Sequence, residues 1–92
     1  MSATPAVYPR RAAGMGVSDH PDGLVIHQHN PPRVHHLDRT AALVFELCSG
    51  RLTTDEITAH IGARLGRSAP PREEVAETIA RFHAEGILEA RS

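Results

Sequence analysis

The histidines are the residues whose type and spacing first suggest chemistry. The chain has seven, and His27 and His29 alternate along a predicted strand, with His35 on the strand that follows. If His27 opposes His35, the three imidazoles share one face of a sheet, and imidazole is a good ligand for Zn²⁺ or Ni²⁺. The sequence has no CxxC or HExxH spacing and no fourth ligand at motif distance. We therefore prefer a solvated histidine-rich face and keep a metal-binding module as an alternative.

Cys48 is the one cysteine and the one candidate for a thiol nucleophile. It falls on the apolar stripe of a predicted helix, where a buried thiol is inert and contributes packing. The chain also lacks a Ser/His/Asp order and a glycine-rich phosphate loop. With no convergent polar cluster, we predict that this protein is not an enzyme. A single cysteine allows no internal disulfide and favours a reducing compartment.

The elements that position the histidines are three short strands, predicted at residues 15–20, 24–29 and 33–37. Turn residues separate them, as PDG and NPP, and the second strand is rich in β-branched side chains. A three-residue loop between the last two strands would place Ile26 and Val34 on the core face and the histidines on the other. A slip of one residue would exchange these faces.

Three helices are predicted to follow, at about residues 39–49, 54–65 and 72–85. Their apolar residues recur at helical spacing. Strands followed by helices indicate an α+β fold, here a three-stranded antiparallel sheet and then three helices. Two helices joined by a short turn before a third are typical of a winged helix-turn-helix.

Local signals fix where these helices begin and end. Asp38 is the predicted N-cap of the first helix, and Thr53 with Glu56 predicts a capping box for the second. We expect Leu47 to be buried between these two helices. Left-handed glycines are expected to end the three helices, and they are Gly50, Gly66 and Gly86.

Composition bounds the domain and its location. Residues 1–14 contain prolines and small residues without periodicity and predict a disordered N-terminal arm, which leaves residues 15–90 as one domain. No apolar run approaches the roughly 20 residues that span a bilayer, and the N-terminus has no signal-peptide core. We therefore expect a cytoplasmic protein without a membrane partner.

A winged-helix DNA-binding regulator is the second alternative, and charge argues against it. The chain has a formal charge of -1. The predicted third helix carries Arg72 and Arg81, but it also carries four carboxylates, Glu73, Glu74, Glu77 and Glu85. A helix with this charge repels phosphates, so we predict no nucleic-acid partner. The third strand is instead an edge, and an open strand edge is a template for an added strand.

Two stretches carry a resemblance to a known family, HHLDRTAALVFELCSGRLTTDEI and EEVAETIARFHAEGIL. They resemble the PqqD family of small peptide chaperones, also called recognition elements for ribosomally synthesised and modified peptides (RiPPs). The resemblance covers about residues 15–90. The matching positions open the first helix, turn the corner after it, open the second helix and end the third: Leu37, Asp38, Thr40, Ala41, Ala42, Leu47, Cys48, Ser49, Gly50, Thr53, Glu56, Ile57, Gly86, Ile87 and Leu88.

The resemblance implies a protein without catalysis or cofactor that takes part in natural product biosynthesis. Such a protein binds the leader segment of a precursor peptide as a strand beside the third strand, in a groove against the third helix. It then presents the peptide to a modifying enzyme, such as a radical S-adenosylmethionine (SAM) protein or a leader peptidase. We expect a monomer or weak dimer.

The residues expected to contact the leader peptide lie on the third strand and the third helix. Val34 or Leu37 with Phe82 would form an apolar pocket, while Arg33 and Arg81 would pair with leader carboxylates. If the His35 N–H faces outward, a proline there would weaken every peptide. The full set is Arg33, Val34, His35, His36, Leu37, Val75, Thr78, Arg81 and Phe82.

Overall fold

The computed structural model describes residues 8–29 and 31–89. The predicted α+β fold is confirmed, and a winged helix-turn-helix describes it only loosely. Within the described residues, no helix is long and apolar enough to cross a membrane. The elements, in chain order, are β1 (Gly16–His20), β2 (Gly23–His29), β3 (Pro32–Asp38), α1 (Arg39–Leu47), α2 (Thr54–Arg64) and α3 (Arg72–Ala84).

The predicted caps form and explain where two helices begin. The Asp38 carboxylate accepts a hydrogen bond from the Ala41 N–H at 2.8 Å, so α1 begins directly after β3. The Thr53 hydroxyl accepts from the Glu56 N–H at 3.1 Å, and the Glu56 carboxylate accepts from the Thr53 N–H at 2.9 Å. These bonds satisfy N–H groups that a helix start otherwise leaves without partners.

The end of α3 returns the chain to the core, as expected. Gly86 adopts a left-handed φ of 73°, and the Ile87 N–H donates to the Phe82 carbonyl at 2.8 Å. This 6→1 bond is the mark of a Schellman motif, which reverses the chain direction after a helix. Ile87 and Leu88 are consequently buried.

The core lies between the sheet and the three helices. It includes Ile26 from the sheet, Val44 and Phe45 from α1, Ile61 from α2 and Phe82 from α3, all at most 3% exposed. All three strands are antiparallel to their neighbours, in the order β1-β2-β3. β3 is therefore an edge strand.

The expected burial of Leu47 is wrong. Its side chain is only partly buried and packs at the periphery of the core. The buried stripe of α1 runs through Ala41, Phe45 and Cys48. Because successive helical residues are rotated by about 100°, Leu47 lies beside that stripe, at its edge.

The predicted pairing of β2 with β3 is wrong by one position. His29 pairs with Pro32, His27 with Val34, and Ile26 with His35. The loop between β2 and β3 is therefore two residues long. Pro32 can begin β3 because a proline is tolerated in an edge strand where no N–H is needed. Directly opposed residues share a face, so His35 joins Ile26 on the face toward the helices, which we call the helix-facing side. Val34 lies on the opposite, outer face and is 55% exposed.

The described part of the predicted arm is hydrogen-bonded to the domain. The Gly50 N–H donates to the Pro9 carbonyl at 2.9 Å, and the Arg11 N–H donates to the Cys48 carbonyl at 3.0 Å. Pro9 is buried. The segment 9–12 thus lies against the corner between α1 and α2. The first seven residues lie outside the described residues.

Candidate functional site

The candidate site begins with the backbone of β3, which is paired with β2 on one side only. The Leu37 carbonyl points at β2. A Cβ placed on Gly23, in β2, would collide with the Leu37 oxygen, which shows this orientation. Residues in an antiparallel pair alternate between bonded and non-bonded positions, so Arg33 and His35 also direct their N–H and C=O groups to β2. Val34 and His36 therefore direct theirs to the unpaired side, which we call the open edge.

A gap separates the open edge from α3. No Cα atom of β3 lies within 8 Å of a Cα atom of α3. Among the described residues, no backbone hydrogen bond from outside the sheet reaches Val34 or His36. We call the space between the open edge and α3 the groove. Its strand side offers the backbone groups of Val34 and His36, and side chains connect its two sides.

A polar network bridges the groove. The Gln28 amide nitrogen donates to the Glu85 carbonyl at 2.9 Å, and the Gln28 amide oxygen lies 2.8 Å from His35 Nε2. Because that oxygen can only accept, His35 carries a proton on Nε2. His35 Nδ1 then faces the Glu85 carboxylate at 3.5 Å, a contact that becomes attractive when this nitrogen is protonated too.

Arg81 covers the apolar floor of the groove. Its guanidinium lies 5.6 Å from the centre of the Phe82 ring, a cation–π arrangement, and its Nε donates to the Glu85 carboxylate at 3.1 Å. Phe82 is fully buried and Leu37 is 3% exposed. Leu37 and Phe82 are therefore core residues in this structure, and the Arg81 guanidinium lies over Phe82.

The structure brings some of the predicted peptide-contact residues together and separates others. His35 and Arg81 both contact Glu85, and Arg33 lines a cavity of about 390 Å³ with Gln28 and Glu85. The other predicted residues lie elsewhere. Val34 and His36 point to the outer face, Thr78 is half-buried, and three are buried in the core: Leu37, Val75 and Phe82.

Sequence reasoning missed Gln28 and Glu85. Glu85 follows Arg81 by four residues, the spacing of a helical ion pair, so this contact had a local signal. Gln28 had none, because its position beside His35 depends on the register of β2 with β3. If that register is wrong by one residue, Gln28 and His35 are assigned to opposite faces of the sheet and no contact is expected.

The three candidate metal ligands do not converge. His27 and His29 lie on the outer face of the sheet, whereas His35 lies on the helix-facing side. Over residues 8–29 and 31–89, no group of three or more His, Cys, Asp or Glu side chains is arranged to hold a metal ion. His20 and His36 meet edge to face on the outer face, with ring centres 6.3 Å apart.

Cys48 is a packing residue in this fold. Its side chain is fully buried, and burial raises the pKa of the thiol from 9.0 to about 12, although the Arg11 charge acts in the opposite direction. The thiol is therefore protonated at neutral pH and is a poor nucleophile.

Comparison with known proteins assigns the chain to a family. Residues 20–88, which include β2, β3 and all three helices, match the family model described as coenzyme PQQ synthesis protein D (PqqD). Comparisons with curated proteins and with solved structures give no match. Because the family match covers most of the chain, this protein belongs to the PqqD family.

Proposed function

We propose that this protein binds the leader segment of a ribosomally synthesised precursor peptide as a strand added to β3, and delivers it to a modifying enzyme. Membership in the PqqD family implies a role in peptide binding during the biosynthesis of PQQ or of RiPPs. The observation that carries the proposal is the open edge of β3, where Val34 and His36 direct backbone groups into the groove.

Strand addition suits a peptide chaperone because its affinity comes mainly from the backbone. Every peptide offers N–H and C=O groups at strand spacing, and each bond to Val34 or His36 contributes about 0.5–1.5 kcal/mol net. Side chains around the groove then supply selectivity. In this proposal the leader contacts Arg33, His35 and Arg81 on the helix-facing side.

The proposed role is accessory and not catalytic. PqqD family membership is consistent with this role, and the one thiol is held protonated in the core. The chemistry would then belong to the partner, such as a radical SAM protein or a leader peptidase. A bound leader would leave the rest of the precursor free to enter that enzyme.

Proline substitution tests strand addition, with the leader of a precursor peptide encoded beside this chain's gene as the probe. His36→Pro removes an N–H of the open edge and should weaken binding by about 10-fold, at an unchanged melting temperature. His36→Thr keeps the N–H and is the matched control, which should bind like the wild type. His35→Pro removes an N–H that faces β2 and should lower the melting temperature instead.

Calorimetry and thermal unfolding separate these outcomes. Equal affinities for His36→Pro and His36→Thr would show that the leader does not pair with β3. Equal melting temperatures for His35→Pro and the wild type would show that the open edge is assigned to the wrong residues.

A further inference from the structure

We propose that the two faces of the bound leader strand contact side chains of different chemical character, charged on one face and apolar on the other. Acidic side chains face Arg33 and Arg81 in the groove, and apolar side chains on the opposite face lie against Val34. This inference rests on the strand addition proposed above. It specifies the substrate class as a leader whose docking segment alternates acidic and apolar residues.

The alternation follows from the geometry of a strand. Successive side chains point to opposite faces, whichever direction the added strand runs. Leader residues on the helix-facing side continue the row of Arg33 and His35, and they point toward α3. Their neighbours on the outer face continue the row of Val34 and His36.

The helix-facing side of the groove has unpaired positive charge. Arg33 is exposed and makes no ion pair within the described residues, and it lines the 390 Å³ cavity at the end of the hairpin. Arg81 uses its Nε for Glu85, and among the described contacts its terminal nitrogens have no partner. Those two nitrogens form a fork that can hold a carboxylate end-on.

Glu85 is a positioning residue in this arrangement. Its carboxylate contacts Arg81 on one oxygen and faces His35 on the other. The negative charge of Glu85 is thus offset by the positive charge of Arg81. A leader side chain therefore meets the charge of Arg33, which has no ion pair within the described residues, and the two terminal N–H donor groups of Arg81.

The outer face offers the opposite chemistry. Val34 is 55% exposed, whereas the apolar residues beneath the groove, Leu37 and Phe82, are at most 3% exposed. An apolar leader residue on the helix-facing side would have to displace Arg81 from the Phe82 ring. On the outer face it covers Val34 without displacing any described ion pair.

Selection from a display library of random peptides of strand length tests this inference on the full chain. We expect the enriched peptides to align on Asp or Glu at every second position, with apolar residues between them. In the strongest binder, Glu→Gln at the aligned position should weaken binding by about 10-fold to the wild type. The same change should have little effect on binding to Arg33→Gln or Arg81→Gln, because the partner charge is gone.

The controls separate this inference from the proposed function. Arg51→Gln removes an exposed arginine of the loop after α1 and should keep the acidic preference. Val34→Thr should relax the apolar preference and leave the acidic one. Enriched peptides that bind His36→Pro more weakly but have no acidic residue at every second position would contradict this inference. They would still support strand addition. Peptides indifferent to His36→Pro would overturn both.

Discussion

At the scale of single residues, the carboxylate of Glu56 makes the stability of the fold depend on pH. Its carboxylate accepts a hydrogen bond from the Thr53 N–H, and this bond is the main cause that lowers the pKa of Glu56 below its ordinary value of 4.5. A group whose pKa is lower in the folded state stabilises that state above its unfolded pKa. This contribution is therefore present above pH 4.5 and is lost as the pH falls through the lowered value.

Glu56→Gln tests this contribution. Glutamine keeps an acceptor for the Thr53 N–H but has no charge to lose, so the variant should lose less of its melting temperature on acidification than the wild type. Thermal unfolding over a pH series is the measurement. Glu77→Gln removes an exposed carboxylate of α3 and should follow the wild type. Parallel acid transitions in Glu56→Gln and the wild type would contradict the assignment.

Residue-scale features differ in how far the sequence predicts them. The caps at Asp38 and Thr53 join groups three residues apart, so residue types alone indicate them. Gln28 and Glu85 are 57 residues apart, and their hydrogen bond depends on how β2 lies against the end of α3. A contact between such distant residues leaves no periodic signal in the sequence.

At the scale of elements, the C-terminus of α1 depends on an arginine from the N-terminal segment. α1 has no basic residue in its last turn. Arg11 instead donates to the Phe45 carbonyl at 3.3 Å and to the Glu46 carbonyl at 3.0 Å. Its guanidinium also lies 5.4 Å from the centre of the Phe45 ring. Positive charge at a helix C-terminus is favourable, because the last carbonyls there are unpaired.

We therefore expect Arg11→Ala to lower the free energy of unfolding by about 1–2 kcal/mol. Arg10→Ala is the matched control, since the guanidinium of Arg10 forms an exposed ion pair with Glu89 at 3.8 Å. The control should cost less than about 1 kcal/mol. Denaturant unfolding measures both. If the two variants have equal stability, Arg11 does not act as the cap of α1.

Element boundaries were predictable from the sequence, but the register was not. Each helix begins within a residue of its predicted start, and the starts of α1 and α2 carry local capping signals. The register of β2 with β3 depends on one loop, and both the two-residue and the three-residue readings of NPP satisfy the chemistry of proline. The error at this loop moved Val34 to the core face in our prediction, and with it the expected apolar pocket.

At the scale of the whole molecule, stability rests on one small core. Ile61 is fully buried in it, on α2. Ile61→Ala should lower the free energy of unfolding by about 2–5 kcal/mol, which is a large part of the roughly 5–15 kcal/mol that keeps a domain folded. Leu65→Ala, on an exposed side chain of the same helix end, is the control and should cost much less. Similar losses in the two variants, measured by denaturant unfolding, would show that the core is misplaced.

The overall arrangement also explains why the edge of β3 is available. α1 packs against β2 and β3, whereas α3 packs against the other two helices and leaves β3 uncovered. The open edge of β3 therefore faces the groove toward α3. A peptide strand bound there gains backbone partners from β3 and side-chain partners from α3.

Amide hydrogen exchange of the labelled protein, with and without the leader peptide, tests the central claim most directly. In the free protein the His35 amide should be protected by β2, while the Val34 and His36 amides should exchange rapidly at the open edge. The leader should then protect Val34 and His36 selectively. Protection that appears on α2 or on the segment 9–12, with Val34 and His36 unchanged, would contradict strand addition to β3.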